Sequence, residues 1–135
     1  MSIERKLYDA LVDLGIVEKM AETDWIKVEN EPYMPLNVEL LYQEGSKVVI
    51  AMGHYFEQNG DLVPDPDMEV EIDTAEKTAR ALHFQNQFTY QSVKEEYNPD
   101  LQRSLNLFLM DWLNILHHSG YAEKIKNASR PNLSL

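Results

Sequence analysis

Ile3, Leu7, Ala10, Leu11 and Leu14 recur at the spacing of one helical face. Ser2 stands where a hydroxyl can accept an early backbone amide, and Gly15 where a left-handed residue can end the run. The pattern predicts an amphipathic helix over 3–14, with a short further turn over 17–21. The period then changes from helical to two. Ile26 and Val28 alternate weakly within 24–31, and Pro32 and Pro35 interrupt that run. Val38, Leu40 and Tyr42 alternate with polar residues over 37–43. Val48, Ile50, Met52, His54 and Phe56 do so over 47–58, across a turn at Glu44-Gly45-Ser46. These two runs predict a β-hairpin.

Asn59-Gly60 tolerates positive φ at both positions and marks a turn. With Pro64 and Pro66 following, the pattern predicts a loop from Asn59 up to the next strand. That strand places Met68, Val70 and Ile72 on one face and Glu69, Glu71 and Asp73 on the other. Residues 80–93 set Leu82, Phe84, Phe88 and Tyr90 against His83, Gln85, Gln87, Thr89 and Gln91. That is long for one strand, so a bulge or break is expected near Asn86.

The last helix has the clearest boundaries. Asn98 can cap it, Pro99 suits the first turn, and Asp100 favours the positive end of the dipole. Leu101, Leu105, Phe108, Leu109, Trp112, Leu113 and Leu116 form its stripe, and Gly120 closes it. The expected fold is α+β: an antiparallel meander of about five strands, covered on one face by an N-terminal and a C-terminal helix. One domain over 1–122 is expected, with a mobile tail over 123–135.

Composition adds one strong constraint, a formal net charge of −11 on 135 residues. Such a field disfavours direct nucleic-acid binding and favours basic partners. Between Val48 and Glu76 there are eight carboxylates and no lysine or arginine. With no cysteine, thiol catalysis and zinc-thiolate sites are excluded. The N-terminus is charged and amphipathic rather than signal-like, and no apolar run is long enough to span a membrane. A cytoplasmic location without membrane attachment is expected.

The segment from His54 to Met68 carries a family resemblance through His54, Tyr55, Gln58, Asn59, Gly60, Asp61, Asp65, Pro66 and Met68. It resembles the signature His-Tyr-x-x-Gln-Asn-Gly-Asp-x-x-x-Asp-Pro-x-Met of an uncharacterised bacterial family common on plasmids, phages and integrative elements. The match covers about a third of the chain and continues loosely to Tyr90. It implies a bacterial, mobile-element, cytoplasmic origin and carries no activity or catalytic residues with it.

The chemistry-bearing residues leave several readings. Gly-x-Ser-x-Gly and the glycine-rich phosphate loops are missing. His54, Glu57 and Asp61, with His83, could form a ligand, metal or hydrolase site, although the spacing is not that of an EF-hand. His54, Tyr55, His83 and Gln85 could instead line a ligand pocket on the polar sheet face. No catalytic residue, metal ligand or cofactor is assigned. The leading expectation is a non-catalytic accessory protein that presents Glu57, Asp61, Asp65, Asp67, Glu69, Glu71 and Asp73 to a basic protein partner. Two further expectations are DNA mimicry in an anti-defence role and self-association through the C-terminal helix.

Overall fold

The computed structural model describes residues 1–130. Helices α1 (Ile3–Asp13) and α2 (Ile16–Glu22) lead into six strands: β1 (Trp25–Asn30), β2 (Tyr33–Glu44), β3 (Lys47–Gln58), β4 (Asp61–Asp73), β5 (Thr78–Gln85) and β6 (Tyr90–Ser92). Helices α3 (Pro99–His118) and α4 (Tyr121–Lys126) follow. The strands form one antiparallel sheet in sequence order, β1 to β6. This is the α+β meander that the alternation predicts, with six strands because the long run breaks at Asn86.

The helix ends obey local chemistry. Ser2 Oγ accepts from Arg5 N at 3.2 Å, and Asn98 Oδ1 accepts from Leu101 N at 3.1 Å, each satisfying an amide with no helical partner. Leu7 and Leu11 of α1 meet Leu105, Leu109, Leu113 and Leu116 of α3 in one buried cluster. Ile26, Val28, Leu36, Val38, Ile50, Met52, Met68, Val70 and Ile72 supply the sheet side of that cluster. The sheet therefore has a helix-covered inner face and an open outer face.

Several expectations change in detail. The loop predicted from Asn59 onward is strand: Asn59 and Gly60, at φ 52° and 85°, make a tight turn, and β4 starts at Asp61. Prolines are tolerated there because β4 pairs with β5 only from Asp67 onward, so its first residues need no second ladder. Pro35 likewise sits within β2. Tyr42 does not share a face with Val38, because the register skips Leu41 and leaves Tyr42 55% exposed. Phe88 and Tyr90 do not continue the Leu82 and Phe84 face; the bend after β5 turns Phe88 into solvent and brings Tyr90 to the outer face beside His83. On α3, Phe108 is partly exposed and meets Phe84 edge-on at 4.7 Å.

Packing also extends beyond residue 122. Tyr121 and Ile125 of α4 are buried, and Lys19 Nζ donates to the carbonyls of Lys126 and Ala128 at 3.0 and 2.8 Å. Residues 131–135 of the expected tail lie outside the described residues.

Candidate functional site

Register places the outer-face side chains in rows. One row runs Trp25, Glu39, Ala51, Glu69, His83, Ser92. The next runs Lys27, Asn37, Gly53, Asp67, Gln85, Tyr90. His83 reaches this face because β5 carries one extra residue, Leu82, opposite the step from Glu69 to Val70. Without that bulge Arg80 and His83, three residues apart, would point to opposite faces. Helix α3 clamps the bulge. Asn106 Oδ1 accepts from Ala81 N at 2.9 Å, and Gln102 Nε2 donates to Ala81 O at 2.8 Å.

At the centre, His83 is 5% exposed. Its Nε2 lies 2.9 Å from Asp67 Oδ2, in hydrogen-bond geometry. Its Nδ1 lies 2.9 Å from Glu69 Oε2, but out of line with the N–H. The second contact is therefore electrostatic rather than a directed hydrogen bond. Lys94 Nζ donates to both oxygens of Glu69, at 3.1 and 3.0 Å. Burial works against the Lys94 charge, yet the Glu69 carboxylate overcomes it and holds the ammonium pKa above its ordinary value. Tyr55 donates its hydroxyl to Asp67 Oδ1 at 2.7 Å. Burial first, then the bond to Asp67, pushes the phenol pKa well above its usual value, so Tyr55 is a neutral donor. The ring of Tyr90 covers His83, with centroids 5.3 Å apart.

This chain of contacts, Tyr55–Asp67–His83–Glu69–Lys94, is closed. A general base needs a ring nitrogen that faces substrate. Both nitrogens of His83 face carboxylates, so the cluster reads as a polar clamp joining β3, β4, β5 and the segment after β6.

The predicted site residues divide accordingly. Tyr55 and His83 meet through Asp67, with Gln85 beside them in the second row. His54 lies on the inner face, 5.6 Å from the ring of Trp112 and 5.9 Å from that of Tyr121. Its Nδ1 bonds Pro35 O at 2.9 Å, so that nitrogen carries the proton, and Trp112 Nε1 donates to Nε2 at 3.4 Å. The grouping of His54, Glu57 and Asp61 with His83 does not assemble, because the sheet separates the two histidines. Among the described residues, no three His, Asp or Glu side chains are placed to hold a metal ion.

Four of the seven candidate interaction acids are committed within the chain. Asp67 and Glu69 belong to the clamp, and Glu71 pairs with Arg80 at 3.2 Å. Asp73 accepts from Ser46 Oγ and from the amides of Ala75 and Glu76, at 3.0, 3.1 and 3.0 Å. The Glu76 amide leads the effects that hold the Asp73 carboxyl below the usual range. Glu57, Asp61 and Asp65 remain exposed. They lie on a two-stranded arm, residues 54–66, which projects past the last β2 partner at Gly53 and the last β5 partner at Asp67.

Beside the arm lies a groove of about 750 Å³ on the outer face, lined by Trp25, Glu39, Tyr55, Leu62 and Pro35 among others. Its position was missed in the sequence, as were Trp25, Glu39 and Gly53. Gly53 carried a readable signal, since a glycine within an apolar strand marks a close approach. A Cβ at Gly53 would stand 2.8 Å from Tyr55 Cζ and Oη and 3.1 Å from Asp67 Oδ1, so only glycine lets the Tyr55 ring fold across to Asp67. Gly53→Ala is expected to push the ring aside and cost about 1 kcal/mol, the net worth of the lost hydrogen bond. Denaturant titration would measure the cost. Titration of the Tyr55 ring by NMR should show its ionisation moved back toward the ordinary phenol value; an unchanged Tyr55 would rule out this role for Gly53.

The chain belongs to a family described as a domain of unknown function (DUF6908), whose model matches residues 6–122. No curated protein and no solved structure matches it. Among the described residues, no helix is long and apolar enough to cross a membrane.

Proposed function

We propose that this protein is a non-catalytic binding module for a basic protein segment, engaged by the β3–β4 arm and the groove at its base. One observation carries the reading: Glu57, Asp61 and Asp65 stand exposed on the arm with no cationic partner among the described residues, while Leu62 beside them is 75% exposed. An apolar tip rimmed by one sign of charge suits a partner with basic residues around an apolar spot. The overall charge of −11 would speed the encounter. The enzyme alternative is weaker because the one buried histidine is closed on both sides.

DNA mimicry asks for free carboxylates spaced along a surface, and the row from Asp67 to Asp73 is already paired. Self-association through α3 rests on exposed Leu107, Phe108 and Ile115, but Asp111 and Asn114 interrupt them. Scattered apolar residues of this kind are ordinary on a surface. The bacterial, mobile-element origin implied by the signature fits an accessory role in the cytoplasm and forms part of the same proposal.

The test uses a lysine- and arginine-rich peptide and a glutamate-rich one, followed by calorimetry. The basic peptide should bind, and its affinity should fall as salt rises from about 50 to 500 mM. The triple variant Glu57→Gln, Asp61→Asn, Asp65→Asn should bind about tenfold more weakly, from three exposed pairs at roughly 0.5 kcal/mol each. Equal binding of both peptides, or an unaffected triple variant, would remove the proposal.

A further inference from the structure

The groove at the base of the arm has a chemistry of its own. Trp25 and Glu39 are direct cross-strand partners on the outer face, and Tyr55 lines the same groove. The Tyr55 ring lies across Gly53, where no side chain stands in its way, and this sets it beside the groove. Trp25 and Tyr55 are half-buried, whereas Glu39 is exposed and has no ion-pair partner among the described residues. The Tyr55 hydroxyl is spent on Asp67, which leaves its ring to serve as a wall. Aromatic faces attract a cation through the ring quadrupole, and a neighbouring carboxylate supplies the counter-charge. Two cations of the chain also line the groove, and each has its own carboxylate: Arg130 pairs with Asp24 at 2.9 Å and Lys27 with Glu29 at 3.7 Å, which leaves Glu39 as the uncompensated charge among the described residues there. The volume is within the range of pockets that enclose a side chain or small ligand.

We propose that the Trp25–Glu39–Tyr55 groove is a subsite for one cationic side chain, a lysine or arginine of the basic partner. This deepens the binding-module reading and rests on it for the identity of the partner. The arm attracts charge at long range, and the groove selects one side chain at contact.

The chain has two tryptophans, which gives an internal control. Trp25 lines the groove, whereas the Trp112 indole is buried and bonded to His54. The probes are N-acetyl-lysinamide, N-acetyl-argininamide and the uncharged N-acetyl-norleucinamide. Their titrations are followed by NMR at the two indole N–H signals. The charged probes should shift Trp25 and leave Trp112 in place, and norleucinamide should shift neither. Glu39→Gln should weaken the charged probes by about two- to threefold with the fold intact, as judged by the Trp112 signal.

An equal response to norleucinamide, an unaffected Glu39→Gln, or a Trp25 signal that moves with protein concentration alone would overturn the subsite. The two proposals fail separately. If the basic peptide binds without moving Trp25, the subsite is wrong and the binding-module reading stands. If lysinamide moves Trp25 but no basic peptide binds, the subsite stands and the binding-module reading is wrong.

Discussion

His83→Leu is expected to cost about 3 kcal/mol of folding stability, the largest loss from any single polar substitution on the outer face. The imidazole lies between Asp67 and Glu69, 2.9 Å from each. Both carboxylates are mostly buried, with side chains 15% exposed. Leucine would leave two like charges side by side with only the Lys94 ammonium to balance them. Removing one partner of a buried charged group leaves the others uncompensated, at about 3–5 kcal/mol. The lower end applies here because Lys94 and Tyr55 still hold one carboxylate each. Urea titrations of both proteins at neutral pH would check this. A loss below about 1 kcal/mol would show that the clamp does not hold the sheet together.

Asn106→Leu should follow, at about 2 kcal/mol. Asn106 is fully buried on α3, and its carbonyl oxygen accepts from Ala81 N at 2.9 Å and from Gln102 Nε2 at 3.0 Å. Leucine fills similar space and strands the Ala81 amide, a loss of about 1–3 kcal/mol for a buried unpaired donor. The effect should travel. Gln102 also accepts from Arg80 Nη1 at 2.9 Å, and Arg80 in turn pairs with Glu71. These contacts hold the Leu82 bulge that brings His83 to the outer face. A melting temperature lower by roughly 8 °C is expected, at about 4 °C per kcal/mol for a chain of this size. A double-mutant cycle of Asn106→Leu with Gln102→Leu should give a coupling of at least about 0.5 kcal/mol. Strict additivity would show that the two side chains do not act as one clamp. The Asn106 Nδ2 group is buried without a partner. Its removal by leucine offsets part of the loss, which keeps the figure below that for His83.

Much of the fold was legible because it depends on neighbours in sequence. Ser2 and Asn98 announce helix starts, and Asn59-Gly60 announces a turn, because each acts on amides or φ angles within three residues. Alternation at Met68, Val70 and Ile72 marks a half-buried strand wherever its partner lies. Failures came where pairing shifts by one residue. The extra residues at Leu41 and Leu82 change which face Tyr42 and Arg80 occupy, and no local pattern marks them. Pro64 and Pro66 suggested a loop because their tolerance depends on β5 ending before it reaches them.

The acidic block shows the same division. Residue order alone determined that β4 would carry acids on one face, that the chain would be strongly negative, and that two capped helices would cover the sheet's apolar side. Tertiary structure alone decided that Asp67, Glu69, Glu71 and Asp73 would be taken up by His83, Lys94, Arg80 and a turn, while Glu57, Asp61 and Asp65 stayed exposed on the arm. A charge's partner is a matter of distance in space, and those distances follow from bulges and helix contacts between residues far apart in the chain. Trp25, Glu39 and Tyr55 come from three different strands, and only the register of the sheet brings them to one groove.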